Sequence, residues 1–149
     1  MDDATDLLAL DLLLEISLLV TKDMEASLAR DGLTPSRTRL LCVVGMRGPM
    51  TQRALADALG VSPRNVTGLV DALVATGFVT REPHPTDRRA AVVSFTEHGA
   101  ATVTRLQEGR RELAHLLFGG LSDGRLAGLA AGLGDVRDRL RAAMPAQEA

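Results

Sequence analysis

The chain has 149 residues, a formal net charge of −2, one cysteine, and neither tryptophan nor tyrosine. This length suits one domain that is large enough to bury a hydrophobic core. With three phenylalanines as its aromatic complement, the core must be built from Leu, Val and Ala. The small negative charge argues against a protein that attracts nucleic acid through bulk positive charge.

Positive charge is concentrated in the middle of the chain. Residues 1–29 carry seven acidic residues and one base, Lys22, whereas residues 30–95 carry nine arginines and five acidic residues. Residues 96–149 are balanced, with seven of each sign. A dimer would double the positive field around residues 30–95 without becoming basic overall.

The cysteine count and the N-terminus indicate a cytoplasmic protein. Cys42 stands alone, which excludes an intrachain disulfide and favours a reducing compartment. The N-terminus begins with acidic residues and has no basic region or cleavage site typical of a secretion signal. The apolar run 7–20 is too short for a bilayer and is interrupted by Asp11 and Glu15. We therefore expect a soluble protein with no membrane partner.

The first helix is predicted over residues 6–30, with leucines on more than one face. On a small monomer such a helix would leave a large exposed apolar patch. We expect it to pack on its own domain and on a second subunit, with an ordinary core helix as the alternative.

A second helix is predicted to begin at Thr34 or Ser36 and to end at Gly48. Its expected buried side consists of Leu40, Leu41, Val43, Val44 and Met46. Cys42 lies among these apolar residues, and no neighbour in sequence would activate it as a thiolate, so a buried, inert thiol is expected. A redox-responsive regulator that uses Cys42 stays an alternative.

Two short helices joined by a tight turn are predicted over residues 51–81, TQRALADALGVSPRNVTGLVDALVATGFVTR. Thr51 can cap the first helix, and Gly60 stands where a left-handed conformation is needed to leave it. Ser62 can cap the second helix, in which Pro63 occupies the first position, where its missing N–H is harmless. These signals predict a helix-turn-helix.

The second of these helices has a polar side near its N-terminus, formed by Arg64, Asn65, Thr67 and Gly68. Arginine pairs with guanine, asparagine with adenine, and a threonine methyl can contact thymine in a DNA major groove. Gly68 is unusual because glycine inside a helix costs about 1 kcal/mol relative to alanine. Close approach to DNA explains it, with close packing inside the protein as the alternative.

Two strands are predicted next, at 78–82 and 90–95, joined by a turn that contains Asp87, Arg88 and Arg89. A hairpin after a helix-turn-helix is a wing, and arginine at its tip suits the negative potential of a narrow minor groove. We expect the Asp87 carboxylate to hold one of the two guanidinium groups in position. A solvated charged turn is the alternative.

Two further helices complete the chain. Thr96 can cap a helix to about residue 118, and Ser122 can cap a last helix with apolar residues every three or four positions. Four glycines weaken the last helix in isolation, so we expect it to need a partner surface.

From about residue 33 to 99 the sequence resembles the MarR family of winged-helix transcription regulators. The matching segments are LADALGVSPRNVTGLVDALVATGFVTR and PTDRRAAVVSFTEHG. The second is similar to the D-x-R wing of the family, which a Leu-Thr-x-x-Gly segment follows. Phe95 replaces that leucine, a departure in the core and not among the residues that would contact DNA.

The resemblance implies a homodimer in which the terminal helices of two subunits interleave. It implies that Pro63, Arg64, Asn65 and Thr67 lie at the major groove, with Ser62 near phosphate. Its D-x-R pattern falls on Asp87 and Arg89, which makes Arg89 the minor-groove arginine and Arg88 the phosphate contact. It also implies a small aromatic or phenolic effector. The oxidant-sensing cysteine of some members would lie near the start of the first helix, where this chain has none.

Other classes of protein find less support. His84, His98 and His115 are scattered, with no nucleophile or paired carboxylate at a useful spacing, so neither a catalytic residue nor an enzyme is predicted. Glu97 with two of these histidines is too sparse for a metal site, and no cofactor is predicted. A winged helix that binds protein without specific DNA binding is the remaining alternative, against which the arginines of helix and wing argue.

We therefore predict a mainly α protein with a small β-hairpin wing, a winged helix-turn-helix flanked by N- and C-terminal dimerisation helices. The ranges are 1–32 for the N-terminal helix, 33–99 for the DNA-binding lobe and 100–149 for the C-terminal helices. The expected function is a dimeric, ligand-responsive regulator, most simply a repressor, that binds double-stranded DNA. Its two half-sites would lie about one helical turn, roughly 34 Å, apart.

Overall fold

The computed structural model describes residues 3–144, so positions 1–2 and 145–149 of the predicted terminal ranges lie outside the described residues. Within residues 3–144, six helices and two of the three strands follow one another in the predicted order, and one short strand is added. They are α1 (Asp3–Arg30), α2 (Pro35–Arg47), β1 (Met50–Thr51), α3 (Gln52–Leu59), α4 (Pro63–Ala75), β2 (Val79–Pro83), β3 (Ala91–Phe95), α5 (Glu97–Phe118) and α6 (Asp123–Ala143).

Four helices begin at the caps that the sequence predicts. The side-chain oxygens of Thr34, Thr51, Ser62 and Thr96 each accept a hydrogen bond from the backbone N–H three residues on. Each bond satisfies one of the amides that a helix N-terminus leaves without a partner. Ser122 precedes α6 as predicted, but its side chain makes no capping hydrogen bond.

The three strands form an antiparallel sheet in the order β1-β3-β2. The hairpin of β2 and β3 pairs Val79 with Phe95 and Pro83 with Ala91, so each strand begins one residue later than predicted. Strand β1, which no sequence signal predicts, pairs Met50 with Val93 and joins the start of α3 to the wing. The sheet therefore fixes the wing relative to the helix-turn-helix.

The core lies among α2, α3, α4, the sheet and the start of α5. Its fully buried members are Leu40, Leu41, Val44, Leu55, Val66, Val70, Leu73, Val79 and Val93. Helix α5 packs closely on the start of β2 through Gly99, because a Cβ at that position would lie 1.9 Å from the backbone oxygen of Phe78. The lobe thus has one continuous core, built mainly from Leu, Val and Ala as the composition predicts, together with Phe78.

Two predictions for α2 are wrong. Met46 is 75% exposed, and the thiol of Cys42 is exposed instead of buried. These residues are four apart and therefore share one side of the helix, whereas Leu40 and Val44 face the core from the other side. The helix is less uniformly buried than its composition indicates.

The terminal helices bury little of their apolar surface within one chain. Leu28 is the buried residue of α1, and none of the residues of α6 is buried. Leu18 of α1 is 69% exposed and Leu116 of α5 is 80% exposed. No helix within residues 3–144 has the length and apolar character needed to cross a membrane.

Candidate nucleic-acid interface

The exposed side of α4 is assembled by the turn that precedes it. Gly60 adopts a left-handed conformation with φ of 65°, and Ser62 Oγ accepts a hydrogen bond of 3.1 Å from the backbone N–H of Asn65. Val66 and Val70 anchor the opposite side of the helix in the core. All of the predicted recognition residues are exposed, namely Ser62, Pro63, Arg64, Asn65, Thr67 and Gly68.

Gly68 is exposed in the middle of α4. A Cβ built at this position meets no atom of residues 3–144 within 4 Å. Close packing inside this chain therefore does not explain the glycine. Arg64 lies four residues earlier on the same side of the helix, so the glycine leaves a small, smooth surface beside this arginine.

A hydrogen-bonded network joins α4 to α3 and β2. Arg81 Nε donates to Gln52 Oε1 at 2.6 Å, and Arg81 Nη2 donates to Asp71 Oδ1 at 2.5 Å. Gln52 Nε2 donates in turn to Thr67 Oγ1 at 3.3 Å. Of these residues the sequence pattern points to Thr67 alone, because no local spacing indicates that side chains from three elements meet.

The tip of the wing differs from its prediction in one respect. Arg88 and Arg89 are exposed as expected, but Asp87 Oδ1 accepts a hydrogen bond of 3.0 Å from the backbone N–H of Arg89. The predicted contact between this carboxylate and a guanidinium group is wrong. Asp87 fixes the backbone of the turn and thereby the position from which the Arg89 side chain extends.

His84 also organises this turn. Its Nδ1 accepts hydrogen bonds from the backbone N–H groups of Thr86 and Asp87, at 3.2 and 3.1 Å. In sequence, His84 looks like one of three isolated histidines. Its short spacing to Asp87, beside two prolines, is the signal that could have indicated a side chain that closes a turn.

An open cleft of about 560 Å³ separates the wing from the first turn of α3. Arg53 lines it from the helix, and His84, Asp87 and Arg89 line it from the wing. No sequence motif points to Arg53 as a site residue. Its position places another cation on the same side of the molecule as the wing arginine.

Residues 3–144 offer little for other kinds of site. No group of three or more His, Cys, Asp or Glu side chains is arranged to hold a metal ion within that range. His98 instead packs its ring against Phe78, with ring centroids 4.7 Å apart. The exposed polar side of α4, the hairpin beside it and the helix-turn-helix geometry define a winged helix-turn-helix protein.

Comparison with known proteins agrees with this class. A family model described as "MarR family" matches residues 31–90. NicR of Pseudomonas putida, an HTH-type transcriptional repressor, is 34% identical over 92 residues, which cover 62% of this chain. The chain spans 58% of the length of NicR, and about half the length of the other curated relatives that it matches.

Two solved structures share the whole architecture. RV1404 from Mycobacterium tuberculosis superposes with a TM-score of 0.76 and 28% identity, covering 93% of this chain and 95% of that one. AbsC, a MarR family transcriptional regulator from Streptomyces coelicolor, superposes with a TM-score of 0.70 and 25% identity, covering 95% of this chain and 97% of that one. The chain is therefore similar in sequence to the MarR family over residues 31–90, and similar in fold to a MarR family transcriptional regulator over 95% of its length.

Proposed function

We propose that this protein is a sequence-specific regulator that binds double-stranded DNA as a homodimer. The observation that carries the proposal is the exposed N-terminal side of α4, on which Arg64, Asn65 and Thr67 surround a glycine whose Cβ position meets no atom of the chain. Arginine and asparagine on one helix face match the hydrogen-bonding groups of guanine and adenine in the major groove. Ser62 and Pro63 stand at the end of the helix where phosphate is favoured.

The wing supports the same proposal. Arg89 extends from a turn whose backbone is fixed by Asp87 and His84, so little conformational freedom is lost when the wing enters a minor groove. Arg88, its exposed neighbour, would contact the phosphate backbone. Helix and wing together would hold one half-site from adjacent grooves.

The exposed apolar surface of the terminal helices supports a dimer. Helix α6 has no buried residue in one chain, although leucines and a valine recur along it at helical spacing. Such a helix gains stability mainly from packing, and a second copy supplies an equally apolar surface. Two α4 helices related by a twofold axis would then read a pseudo-palindrome, with half-sites about 34 Å apart.

Repression and response to a ligand complete the proposal. Similarity to NicR, which is a transcriptional repressor, supports repression. The family resemblance supports a small aromatic or phenolic effector, bound between the dimerisation helices and the DNA-binding lobe, and a location in the cytoplasm. An effector that binds one arrangement of the two lobes better would shift the dimer away from the spacing that DNA requires. Loss of the DNA complex on titration with substituted benzoates tests this part.

The decisive experiment is selection of duplexes from a random library, followed by gel shift with nonspecific competitor over a series of salt concentrations. We expect a pseudo-palindromic consensus and a discrete complex of one dimer per duplex. Its affinity should fall steeply with salt, because contacts between arginine and phosphate release counterions. A library that shows no enrichment would contradict the proposal and favour a winged helix that binds protein.

A further inference from the structure

The hydrogen bonds that join Arg81, Gln52 and Thr67 determine which group of the Thr67 side chain is available to contact DNA. Arg81 is a pure hydrogen-bond donor, so the atom of Gln52 that faces it must be the carbonyl oxygen. The amide nitrogen of Gln52 therefore faces Thr67, in agreement with the 3.3 Å separation of Nε2 and Oγ1. The orientation of this glutamine is fixed by chemistry as well as by distance.

The hydroxyl of Thr67 is engaged on both sides. It donates to the backbone oxygen of Pro63 at 2.9 Å and accepts from Gln52. A hydroxyl has one proton to donate, and here that proton is used within the helix. The methyl group of Thr67 is the part of the exposed side chain that carries no internal hydrogen-bond commitment.

We propose that Thr67 reads the 5-methyl group of a thymine, and that Gln52 and Arg81 are positioning residues that hold it in this orientation. The inference rests on the proposed DNA binding. It adds that the contact is apolar and that the base is thymine, and it assigns a role to Gln52 and Arg81 without requiring either to contact DNA. Apolar contact with the thymine methyl is a standard form of direct readout in the major groove.

The hydrogen bonds among Arg81, Gln52, Asp71 and Thr67 orient these side chains but contribute little to the stability of the fold. The side chains of Arg81 and Asp71 are 32% and 58% exposed, and ion pairs at such positions contribute little to stability. Helices α3 and α4 are already held together by Leu55, Val66 and Val70 in the core. Loss of the network should therefore change the orientation of Thr67 and leave the fold intact.

The test uses the full-length protein and the duplex obtained by selection. Each thymine of that duplex is replaced in turn by deoxyuridine, which lacks only the 5-methyl group. We expect affinity to fall at one position per half-site, by about fourfold for each thymine methyl group that is removed there. The ratio of the thymine affinity to the uracil affinity at this position is the quantity to follow in the variants.

Two substitutions at Thr67 separate its two functional groups. Thr67→Val keeps a methyl but removes the hydroxyl through which Gln52 positions it, so its thymine-to-uracil ratio should lie between one and that of the wild type. Thr67→Ser keeps the hydroxyl and removes the methyl, so its ratio should fall to about one. The reverse pattern, with discrimination kept by Ser and lost by Val, would show that the hydroxyl reads the base and would overturn the inference.

The positioning role is tested with Gln52→Glu, which can still accept from Arg81 but cannot donate to Thr67. We expect a lower thymine-to-uracil ratio with an unchanged melting temperature. The same substitution at Gln107, exposed on α5, is the matched control and should change neither quantity. An unchanged ratio in Gln52→Glu would overturn the role of Gln52.

The outcomes for the wild type separate this inference from the proposed function. A specific complex that tolerates uracil at every position would overturn the reading of a thymine methyl and leave DNA binding standing. Failure to select any specific duplex would overturn the proposed function, and this inference with it.

Discussion

The winged-helix lobe, residues 33–99, and the terminal helices are built from similar amino acids but differ in how much apolar surface each buries within one chain. In the lobe, α2, α3 and α4 each have a capped N-terminus and place leucines or valines in a shared core. Helix α6 has apolar residues at the same kind of spacing, yet none is buried, and the side chain of its N-cap, Ser122, makes no capping hydrogen bond. The lobe completes its core within one chain, whereas the terminal helices leave much of their apolar surface exposed.

Helix α1 combines both behaviours. Leu28 near its C-terminus is 5% exposed and belongs to the core of the lobe, while Leu18, ten residues earlier, is 69% exposed. The helix therefore connects the two regions, since its C-terminal end packs on the lobe and its N-terminal part is exposed. Substitutions in α6 should therefore affect dimerisation, and substitutions in the lobe should affect its stability or its DNA binding.

The largest effect is expected from replacing two leucines of α6. Leu129→Glu combined with Leu133→Glu introduces four carboxylates into the proposed dimer interface, since each subunit contributes two. We expect a loss on the order of 5 kcal/mol in the free energy of dimerisation, because apolar burial is lost at each position. Sedimentation equilibrium measures the association, and Arg125→Glu with Arg139→Glu on the same helix is the control. An unchanged dimer would place the interface elsewhere.

A second substitution should destabilise the lobe and leave α6 unchanged. Gly99→Ala places a Cβ 1.9 Å from the backbone oxygen of Phe78, so α5 must move away from the start of β2. We expect a loss of roughly 3 kcal/mol in the free energy of unfolding, at the upper end of typical overpacking. Chemical denaturation measures it, with Gly109→Ala in the same helix as the control. No atom lies within 4 Å of a Cβ at Gly109, so that variant should be slightly more stable.

Substitutions of the two wing arginines should distinguish a minor-groove contact from a phosphate contact without changing the stability of the fold. Arg89→Ala should weaken the specific complex by at least about fivefold and reduce the preference for sequences with a narrow minor groove. Arg88→Ala should instead lower the salt dependence, by about one unit of slope per subunit. Binding isotherms over a range of salt concentrations distinguish the two variants. If Arg89→Ala binds as well as the wild type, the minor-groove role is wrong.

The smallest change should have opposite effects on stability and on binding. Gly68→Ala should raise the free energy of unfolding by about 1 kcal/mol, since alanine favours the helix and its Cβ meets no atom of the chain. The same Cβ would stand between α4 and an approaching base, so affinity for the selected duplex should fall. Thermal denaturation and gel shift give the two values. A variant that is more stable and binds as tightly would remove the argument for close approach at Gly68.

Much of the lobe follows from short stretches of sequence. Thr51, Ser62 and Thr96 cap their helices as predicted, and Gly60 takes the left-handed conformation expected of it. Each of these features depends on groups within three or four residues of one another, so local sequence is sufficient to specify them.

The predictions that are wrong have a common physical cause. Apolar composition predicts burial of Cys42 and Met46, but which side of α2 is buried depends on where α1, α3 and α5 pack. Charge predicts a guanidinium partner for Asp87, but a tight turn brings its carboxylate to a backbone N–H first. Strand β1 has only two residues, and it exists because β3 lies beside it.

The sequence by itself determined the order of elements, most of the helix boundaries and the residues on the exposed side of α4, because caps, turns and periodicity are local properties. Only the tertiary structure brought Gln52 to Arg81, twenty-nine positions away, and thereby fixed the orientation of Thr67. It also showed that Gly99 is required by Phe78 and that no packing within the chain requires Gly68. Contacts between distant segments depend on how the core packs, and no local pattern records that.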